Sequence, residues 1–104
     1  MHFDLKDGED IMTDIAANLI LGIESVGGRM MVTSRRVVFQ PGAVNIQRLQ
    51  REIPMGQILS VTPHNFLGVI PNGVKIRLKS GVEYRFVVWG RNRIIDLIRS
   101  LSAR

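Results

Sequence analysis

Two histidines are the only side chains in the sequence whose ordinary pKa suits proton transfer near neutral pH, because the 104-residue chain has no cysteine. His2 lies at the terminus, and His64 lies in a Pro-His-Asn segment typical of a turn. A catalytic zinc needs about three protein ligands. A nucleophilic serine needs a base beside it, and neither Ser60 nor Ser80 has the surroundings of one. We therefore predict no metal site, no cofactor and no catalytic activity.

An acidic segment and a glycine-spaced segment are two further candidates for ligand binding. The carboxylates of the acidic segment do not keep the spacing of a calcium loop and are expected to form a solvated terminus: Asp4, Asp7, Glu9 and Asp10. The second segment, Gly22-x-x-x-x-Gly27, begins like a phosphate-binding P-loop. It continues with Gly28-Arg29, however, where that motif requires a lysine and a hydroxyl residue. The segment therefore predicts a loop between strands.

The basic residues are the stronger candidates, since the net charge is +5 and the acidic residues concentrate before residue 25. Two outward basic strips are predicted, one with Lys75, Arg77 and Arg85 and one with Arg35, Arg36, Arg48 and Arg51. Such a strip attracts phosphates at an anionic membrane, where each cation adds about 1 kcal/mol. The alternative is a solvated face that discourages aggregation between sheet edges.

A hairpin over residues 73–89 positions the first strip, because apolar and polar side chains alternate there in two runs. The pairing register leaves 79–81 as a three-residue loop, with Gly81 in the left-handed conformation. It also places Lys75 opposite Arg85, which is an unfavourable pair. The inward series of the second run is Val82, Tyr84, Phe86 and Val88.

The rest of the sequence predicts further strands and one helix. A hairpin over 29–40 turns at Ser34-Arg35, and residues 9–23 fit a strand or a helix almost equally well. Residues 51–54 and 58–61 are predicted as short strands, with loops over 43–50 and 65–72. The C-terminal pattern predicts an amphipathic helix capped by Asn92, with an apolar face of Ile94, Leu97, Ile98 and Leu101.

These elements predict a mainly β fold with one C-terminal α-helix. About seven antiparallel strands would form a partly open barrel of the pleckstrin-homology-like type, capped by the helix. We expect residues 1–8 to be a flexible N-terminus and 9–104 to be a single domain. The apolar stretch Ile15 to Ile23 is too short to span a membrane, and the start of the chain lacks the features of a signal peptide. We therefore expect a cytoplasmic protein.

Several blocks of the sequence, taken in order, carry a family resemblance. They are Ala17-Asn18-Leu19, the Gly-Gly-Arg-Met-Met-Val-Thr-Ser-Arg-Arg-Val-Val-Phe run over 27–39, Ile53-Pro54, and the runs over 71–76 and 86–91. In this arrangement the chain resembles the GRAM domains, from about Glu9 to Leu101. Ser34 stands where that family usually has asparagine, and Ile94 where it often has tryptophan.

The resemblance implies a pleckstrin-homology-like barrel in which residues 9–21 are a strand. It also implies a non-catalytic intracellular module that binds membrane lipids or proteins. Pleckstrin-homology domains that bind phosphoinositides usually cluster lysine and arginine around the first hairpin loop. Here that loop, residues 22–28, contains Glu24 and no lysine, with only Arg29 at its edge. We therefore expect weak, diffuse binding to an anionic membrane surface, at the inner face of the membrane.

Three classes of partner follow from these observations. For an anionic lipid, the expected binding residues are Arg29, Arg35, Arg36, Lys75, Arg77 and Arg85. For a protein partner or a second copy of this chain, the expected contacts are the apolar run of Phe66, Leu67, Val69 and Ile70. The alternative is that this run folds back over the mouth of the barrel. Nucleic acid is the least supported, because stacking on bases needs exposed aromatics and only Phe66 and Trp89 are expected outside the core.

Overall fold

The computed structural model describes residues 4–42, 49–66 and 70–103. In these residues the alternating segments form strands and the last segment forms a helix. The elements are β1 (Ile11–Leu21), β2 (Glu24–Thr33), β3 (Arg36–Pro41), β4 (Arg51–Pro54), β5 (Ile58–Phe66), β6 (Ile70–Leu78), β7 (Glu83–Val88) and α1 (Arg91–Ser102). The alternative of a helix over residues 9–23 is excluded, and the strand implied by the family resemblance is confirmed.

All seven strands belong to one antiparallel sheet in the order β4-β3-β2-β1-β7-β6-β5. The short 3-10 turn Met55–Gln57 connects the two terminal strands of this sheet. Two backbone hydrogen bonds hold this turn in place. Met55 N–H donates to Arg35 O in the β2–β3 turn, and Lys79 N–H in the β6–β7 loop donates to Gln57 O, each at 2.9 Å. The predicted pleckstrin-homology-like architecture is therefore confirmed.

The helix α1 packs against β5 and β6 and covers one opening of the curved sheet. Ile94, Ile98 and Leu101 are buried, as the helical spacing predicts. Leu97 of the predicted face is only partly buried, and Ile95, which the spacing did not include, is buried as well. The buried side chains of the helix join a core whose largest fully buried side chains are Phe39, Phe86, Leu19, Met30, Ile53 and Ile76. Arg99 Nε donates to Val61 O at 2.8 Å and adds a polar contact between the helix and β5.

The β6–β7 hairpin has the predicted register. Lys75 lies opposite Arg85, and Gly81 has a φ of 96° in the loop. Leu78 N–H donates to Val82 O at 2.8 Å and closes that loop. The inward position expected for Val82 is wrong, because this residue lies at the end of the hairpin beyond the core and is exposed.

The tight turn between β2 and β3 forms at Ser34-Arg35 although it lacks the preferred asparagine and glycine. Two contacts compensate. Thr33 Oγ1 accepts the backbone N–H groups of Arg35 and Arg36 at 3.1 and 3.0 Å. Ser34 exchanges hydrogen bonds with Asp10, whose N–H donates to Ser34 Oγ at 3.0 Å and whose carbonyl accepts Ser34 N–H at 2.9 Å. The turn is thus stabilised by side chains and by the preceding segment.

Three boundaries differ from the sequence-based expectation. β2 begins at Glu24 rather than near residue 29, so the first hairpin turns over two residues, Gly22 and Ile23. β5 continues through His64 to Phe66, and β6 begins at Ile70, which shortens the loop expected over 65–72. Residues 67–69 of that loop, and residues 43–48 of the other, lie outside the described residues.

The cap of α1 also differs from the expectation. Gly90 occupies the N-cap position with a φ of 70°, and Asn92 lies inside the first turn. Glycine adopts this left-handed conformation without steric cost, which lets the chain turn sharply from β7 into the helix. The prediction that Asn92 caps the helix is therefore wrong.

A buried ion pair fixes the segment before β1, where solvated carboxylates were expected. Arg36 forms a bidentate ion pair with the Glu9 carboxylate, in which Nε donates to Oε2 at 2.7 Å and Nη2 donates to Oε1 at 2.9 Å. Thr33 Oγ1 donates to Glu9 Oε2 at 2.6 Å, and Lys6 N–H donates to Glu9 Oε1 at 2.8 Å. The prediction that Glu9 is solvated is wrong because each oxygen finds two donors inside the protein. The boundary of the domain at residue 9 stays a prediction.

These contacts predict a pH-dependent contribution to stability. The hydrogen bond from Arg36 outweighs the cost of burial and, with those from Thr33 and Lys6, lowers the pKa of the Glu9 carboxyl from 4.5 to about 2. The native state therefore binds this proton more weakly than the unfolded chain. The stabilisation is complete above pH 4.5 and is lost as the pH falls towards about 2. Denaturant unfolding of the wild type and of Glu9→Gln across this range should give curves that converge at low pH. Curves separated by a constant amount would contradict this assignment.

Candidate functional site

The outer face of the β6–β7 hairpin carries a group of three cations, which we call the basic face: Lys75, Arg77 and Arg85. Strand alternation places these side chains outside because their neighbours Val74, Ile76 and Phe86 are in the core. The outer surface of the sheet continues onto the adjacent strands, where Arg85 lies opposite Ile20 of β1 and Lys75 lies opposite Thr62 of β5. The basic face therefore lies in the middle of a surface that four neighbouring strands form.

One carboxylate partly neutralises the basic face. Glu83 Oε2 lies 3.8 Å from Lys75 Nζ and 3.9 Å from Arg77 Nε, with the three side chains about one third to one half exposed. Such distant, exposed pairs stabilise a protein by less than about 1 kcal/mol. Arg85 is exposed and forms no ion pair with any described residue. Lys75 and Arg85 thus stand directly opposite each other as like charges, which lowers the stability of the hairpin.

A small cavity of about 140 Å³ lies beside Arg85 on this outer face. Ile20, His64 and Val87 contribute to its walls, and Gly73 contributes where β6 passes β5. A Cβ atom at Gly73 would overlap the carbonyl oxygen of His64, so only glycine allows the two backbones to approach this closely. The cavity places the Arg85 guanidinium next to a concave surface.

The structure does not bring the remaining predicted cations to the basic face. Arg29 lies on β2, where its Nε donates to Asp14 Oδ1 at 2.7 Å. Arg35 is exposed in the β2–β3 turn. The outward position expected for Arg36 is wrong, because this side chain is buried against Glu9 and its Nη1 lies 2.9 Å from Glu52 Oε1. Arg48 lies outside the described residues.

The alternative protein-binding segment is described only in part. The backbones of Phe66 and Ile70 pair with each other at the ends of β5 and β6. Their side chains, and all of Leu67 and Val69, lie outside what the structure describes. A role for this segment in protein binding therefore stays a prediction.

A second exposed group lies beyond the end of β7, at the start of α1. Trp89 is 81% exposed and borders an open cavity of about 600 Å³, which Pro71, Arg91 and Arg93 also line. From the sequence, Trp89 is expected outside the core, whereas Arg91 and Arg93 have no predicted role. The run Trp-Gly-Arg-Asn-Arg over residues 89–93 is the signal that could have indicated them, because it joins a large aromatic residue to two cations.

The described residues contain no group of three or more histidine, aspartate or glutamate side chains placed to hold a metal ion. No helix within ranges 4–42, 49–66 and 70–103 is long and apolar enough to cross a membrane.

The seven-stranded sheet and its C-terminal helix define a pleckstrin-homology-like domain, and solved structures of this class match it. The Vps36 N-terminal PH domain superposes with a TM-score of 0.75 at 16% identity, covering 95% of this chain and 83% of that one. The C-terminal domain of an unknown protein from Leishmania infantum gives a TM-score of 0.79 at 12% identity, covering 94% and 88%. The Slm1 PH domain in complex with phosphoserine gives 0.60 at 10% identity, covering 88% and 91%.

The family model of the GRAM domain matches residues 1–103, and the chain belongs to this family. The resemblance found in the sequence is thereby confirmed. No curated protein matches the sequence. GRAM and pleckstrin-homology-like domains are typically non-catalytic modules that bind lipids or proteins.

Proposed function

We propose that this GRAM domain binds anionic lipid headgroups weakly at a membrane surface, through the basic face of Lys75, Arg77 and Arg85. The observation that carries the proposal is the like-charge pair of Lys75 and Arg85. Two cations directly opposite each other on neighbouring strands destabilise a sheet. Features that cost stability are expected where a surface serves a ligand, and a phosphate placed above the pair would relieve the repulsion.

The charge of the basic face suits a weak interaction. Its three cations and the carboxylate of Glu83 give a net charge of +2. Since each cation near an anionic membrane contributes about 1 kcal/mol, the face supports binding that depends on salt and on the density of anionic lipid. Arg29 and Arg35 add to the long-range attraction only, and Arg36 takes no part because it is buried.

The chemistry of a structural neighbour agrees with this proposal. The Slm1 PH domain has been solved in complex with phosphoserine, a small molecule that combines a phosphate with an amino acid. Phosphoserine is also the polar part of an anionic phospholipid. The low identity of 10% carries no residue of that site over to this chain, so the proposal rests on the basic face itself.

The test compares two charge reversals that change the net charge equally. Arg85→Glu removes two charge units from the basic face, which lowers affinity for vesicles of phosphatidylcholine and phosphatidylserine by about 2 kcal/mol, or roughly 30-fold. The same substitution puts a carboxylate opposite Lys75, which raises the free energy of unfolding by about 0.2–1 kcal/mol. Co-sedimentation and denaturant unfolding measure the two effects. Weaker binding by a more stable protein excludes misfolding as the cause.

Lys6→Glu is the control, because Lys6 is exposed beside Glu52. Glu52 belongs to β4, the edge strand on the other side of the sheet order from β6 and β7. This variant should bind vesicles with nearly the wild-type affinity. If Arg85→Glu binds as well as the control, the basic face is not the binding surface. If neither variant nor the wild type binds at low salt, lipid binding is refuted and the apolar segment 66–70 becomes the next site to test, with protein partners.

A further inference from the structure

Trp89 continues the outward side of β7 beyond the basic face. Strand alternation directs Arg85 and Val87 to the outer surface and buries Val88 at 1% exposure. Trp89 follows Val88, and 81% of its surface is exposed. Trp89 lies just beyond the end of β7 and borders the same cavity as Pro71, which precedes by two residues the outward-facing Gly73 of β6. The aromatic ring and the cations therefore occupy one side of the domain.

Local backbone geometry holds this ring outside the core. Gly90 adopts a φ of 70° and turns the chain away from the sheet into α1. Arg91 Nη1 then donates to His64 O at 3.3 Å and to Asn65 Oδ1 at 3.2 Å, which ties the start of the helix to the end of β5. The chain is thus held on both sides of Trp89 in a position that leaves its indole exposed.

The surroundings of Trp89 suit a membrane interface. Arg93 is exposed on the first turn of α1 and lines the same open cavity as Trp89 and Pro71. None of the described residues that line this cavity carries a carboxylate. Tryptophan prefers the boundary between headgroups and acyl chains, because its ring is apolar and its N–H remains a hydrogen-bond donor. Arginine beside it can keep its aliphatic stem along the ring and its charge at the phosphates.

A second exposed apolar side chain borders the other end of the outer face and provides a contrast. Ile23, in the turn between β1 and β2, is fully exposed. Its neighbour in the chain is Glu24, and Glu83 begins β7 at the same end of the sheet. The cations at this end, Arg77 and Lys79, are thus accompanied by two carboxylates, which oppose contact with anionic lipid. The charge pattern therefore favours the Trp89 end as the part of the face that enters the membrane.

We infer that Trp89 is the membrane-penetrating residue of this domain, and that it enters the interface of an anionic bilayer while Arg93 and the basic face contact the headgroups. The inference rests on the proposed function and adds to it the orientation of the domain on the membrane. In this orientation the outer face of β6 and β7 lies along the bilayer and the start of α1 points into it.

The protein supplies its own probe, because Trp89 is the only tryptophan in the chain. Phosphatidylcholine–phosphatidylserine vesicles should shift its fluorescence to shorter wavelength, and brominated acyl chains in the same vesicles should quench it. Trp89→Ala should bind these vesicles about tenfold more weakly in co-sedimentation, since an apolar side chain moved out of water contributes at least about 1.5 kcal/mol. Ile23→Ala is the matched control and should bind like the wild type.

Three outcomes separate this inference from the proposed function. If the wild type sediments with anionic vesicles but its fluorescence neither shifts nor is quenched, the basic face binds lipid and Trp89 does not enter the membrane. If Trp89→Ala binds with unchanged affinity, or Ile23→Ala loses as much, the inferred orientation is wrong. If the wild type does not sediment at all, the proposed function fails before the orientation is tested.

Discussion

Replacement of Arg36 by alanine is expected to lower the free energy of unfolding by about 3–5 kcal/mol, because it leaves the Glu9 carboxylate buried without its charged partner. Glu9 is 5% exposed, and Arg36 supplies hydrogen bonds to both of its oxygens. The same guanidinium also donates through Nη2 to Asp4 O at 2.8 Å and pairs with Glu52. Its loss therefore releases contacts that join the N-terminal segment to β3 and β4. Denaturant unfolding at neutral pH measures the effect.

Arg35→Ala is the control for this substitution. Arg35 is adjacent in sequence and has the same charge, but it is exposed in the β2–β3 turn. Its replacement should change the free energy of unfolding by no more than about 0.5 kcal/mol. Equal losses for the two variants would show that the buried ion pair does not stabilise the fold in the way described. Because typical domains are stable by only about 5–15 kcal/mol, the Arg36 variant should be close to unfolding at moderate temperature.

A second large loss of stability is expected for Gly28→Ala. A Cβ atom at this position would overlap the carbonyl oxygen of Gln40 and come within 2.9 Å of both Pro41 Cα and Phe39 Cζ. Two of these atoms belong to the backbone of β3, so that strand would have to move away from β2. Overpacking of this kind typically costs about 1–3 kcal/mol, and thermal or denaturant unfolding should show a loss of this size.

The adjacent glycine is the natural comparison. A Cβ atom at Gly27 would find only Asn18 Nδ2, at 3.9 Å, which is an ordinary contact. Gly27→Ala should therefore leave stability nearly unchanged, although the two glycines share one strand. A similar loss at both positions would mean that glycine is needed there for backbone flexibility rather than for the close approach of β3.

Much of the fold could be predicted from the sequence because the spacing of apolar residues differs between strands and helices. The alternation over residues 73–89 defined the β6–β7 hairpin and, with Gly81 marking the loop, its register. The helical spacing of Ile94, Ile98 and Leu101 likewise defined α1. Where periodicity was ambiguous, as over residues 9–23, the family resemblance decided correctly for a strand.

The errors arose where contacts distant in sequence override local signals. The pair Gly27-Gly28 predicts the start of a strand from local sequence alone. In the structure β2 begins earlier, at Glu24, because it pairs with β1 from that residue onward, through both glycines. The sequence around Glu9 predicts one of several solvated carboxylates. Its partner Arg36 lies 27 residues away in the chain and comes close only in the folded protein. Local charge density gives no sign of such a buried pair.

The sequence also predicted part of the candidate site. Alternation alone placed Lys75, Arg77 and Arg85 on one face, since all three belong to a single hairpin. It could not separate these residues from Arg29 and Arg35, because the relative position of the two hairpins depends on strand order. That Trp89 and Arg93 line one cavity could not be predicted, because it depends on the residue at which the helix begins.

Binding of the wild-type chain to vesicles at two salt concentrations shows whether this domain recognises anionic lipid. Co-sedimentation should be compared for phosphatidylcholine vesicles and for vesicles that also contain phosphatidylserine. We expect the wild type to bind the anionic vesicles at about 0.01 M salt, where charges act over about 30 Å, and to bind them much less at about 0.15 M, where charges act over about 8 Å. We expect little binding to neutral vesicles at either concentration. Absence of binding at low salt, or equal binding to neutral and anionic vesicles, would contradict the proposed function.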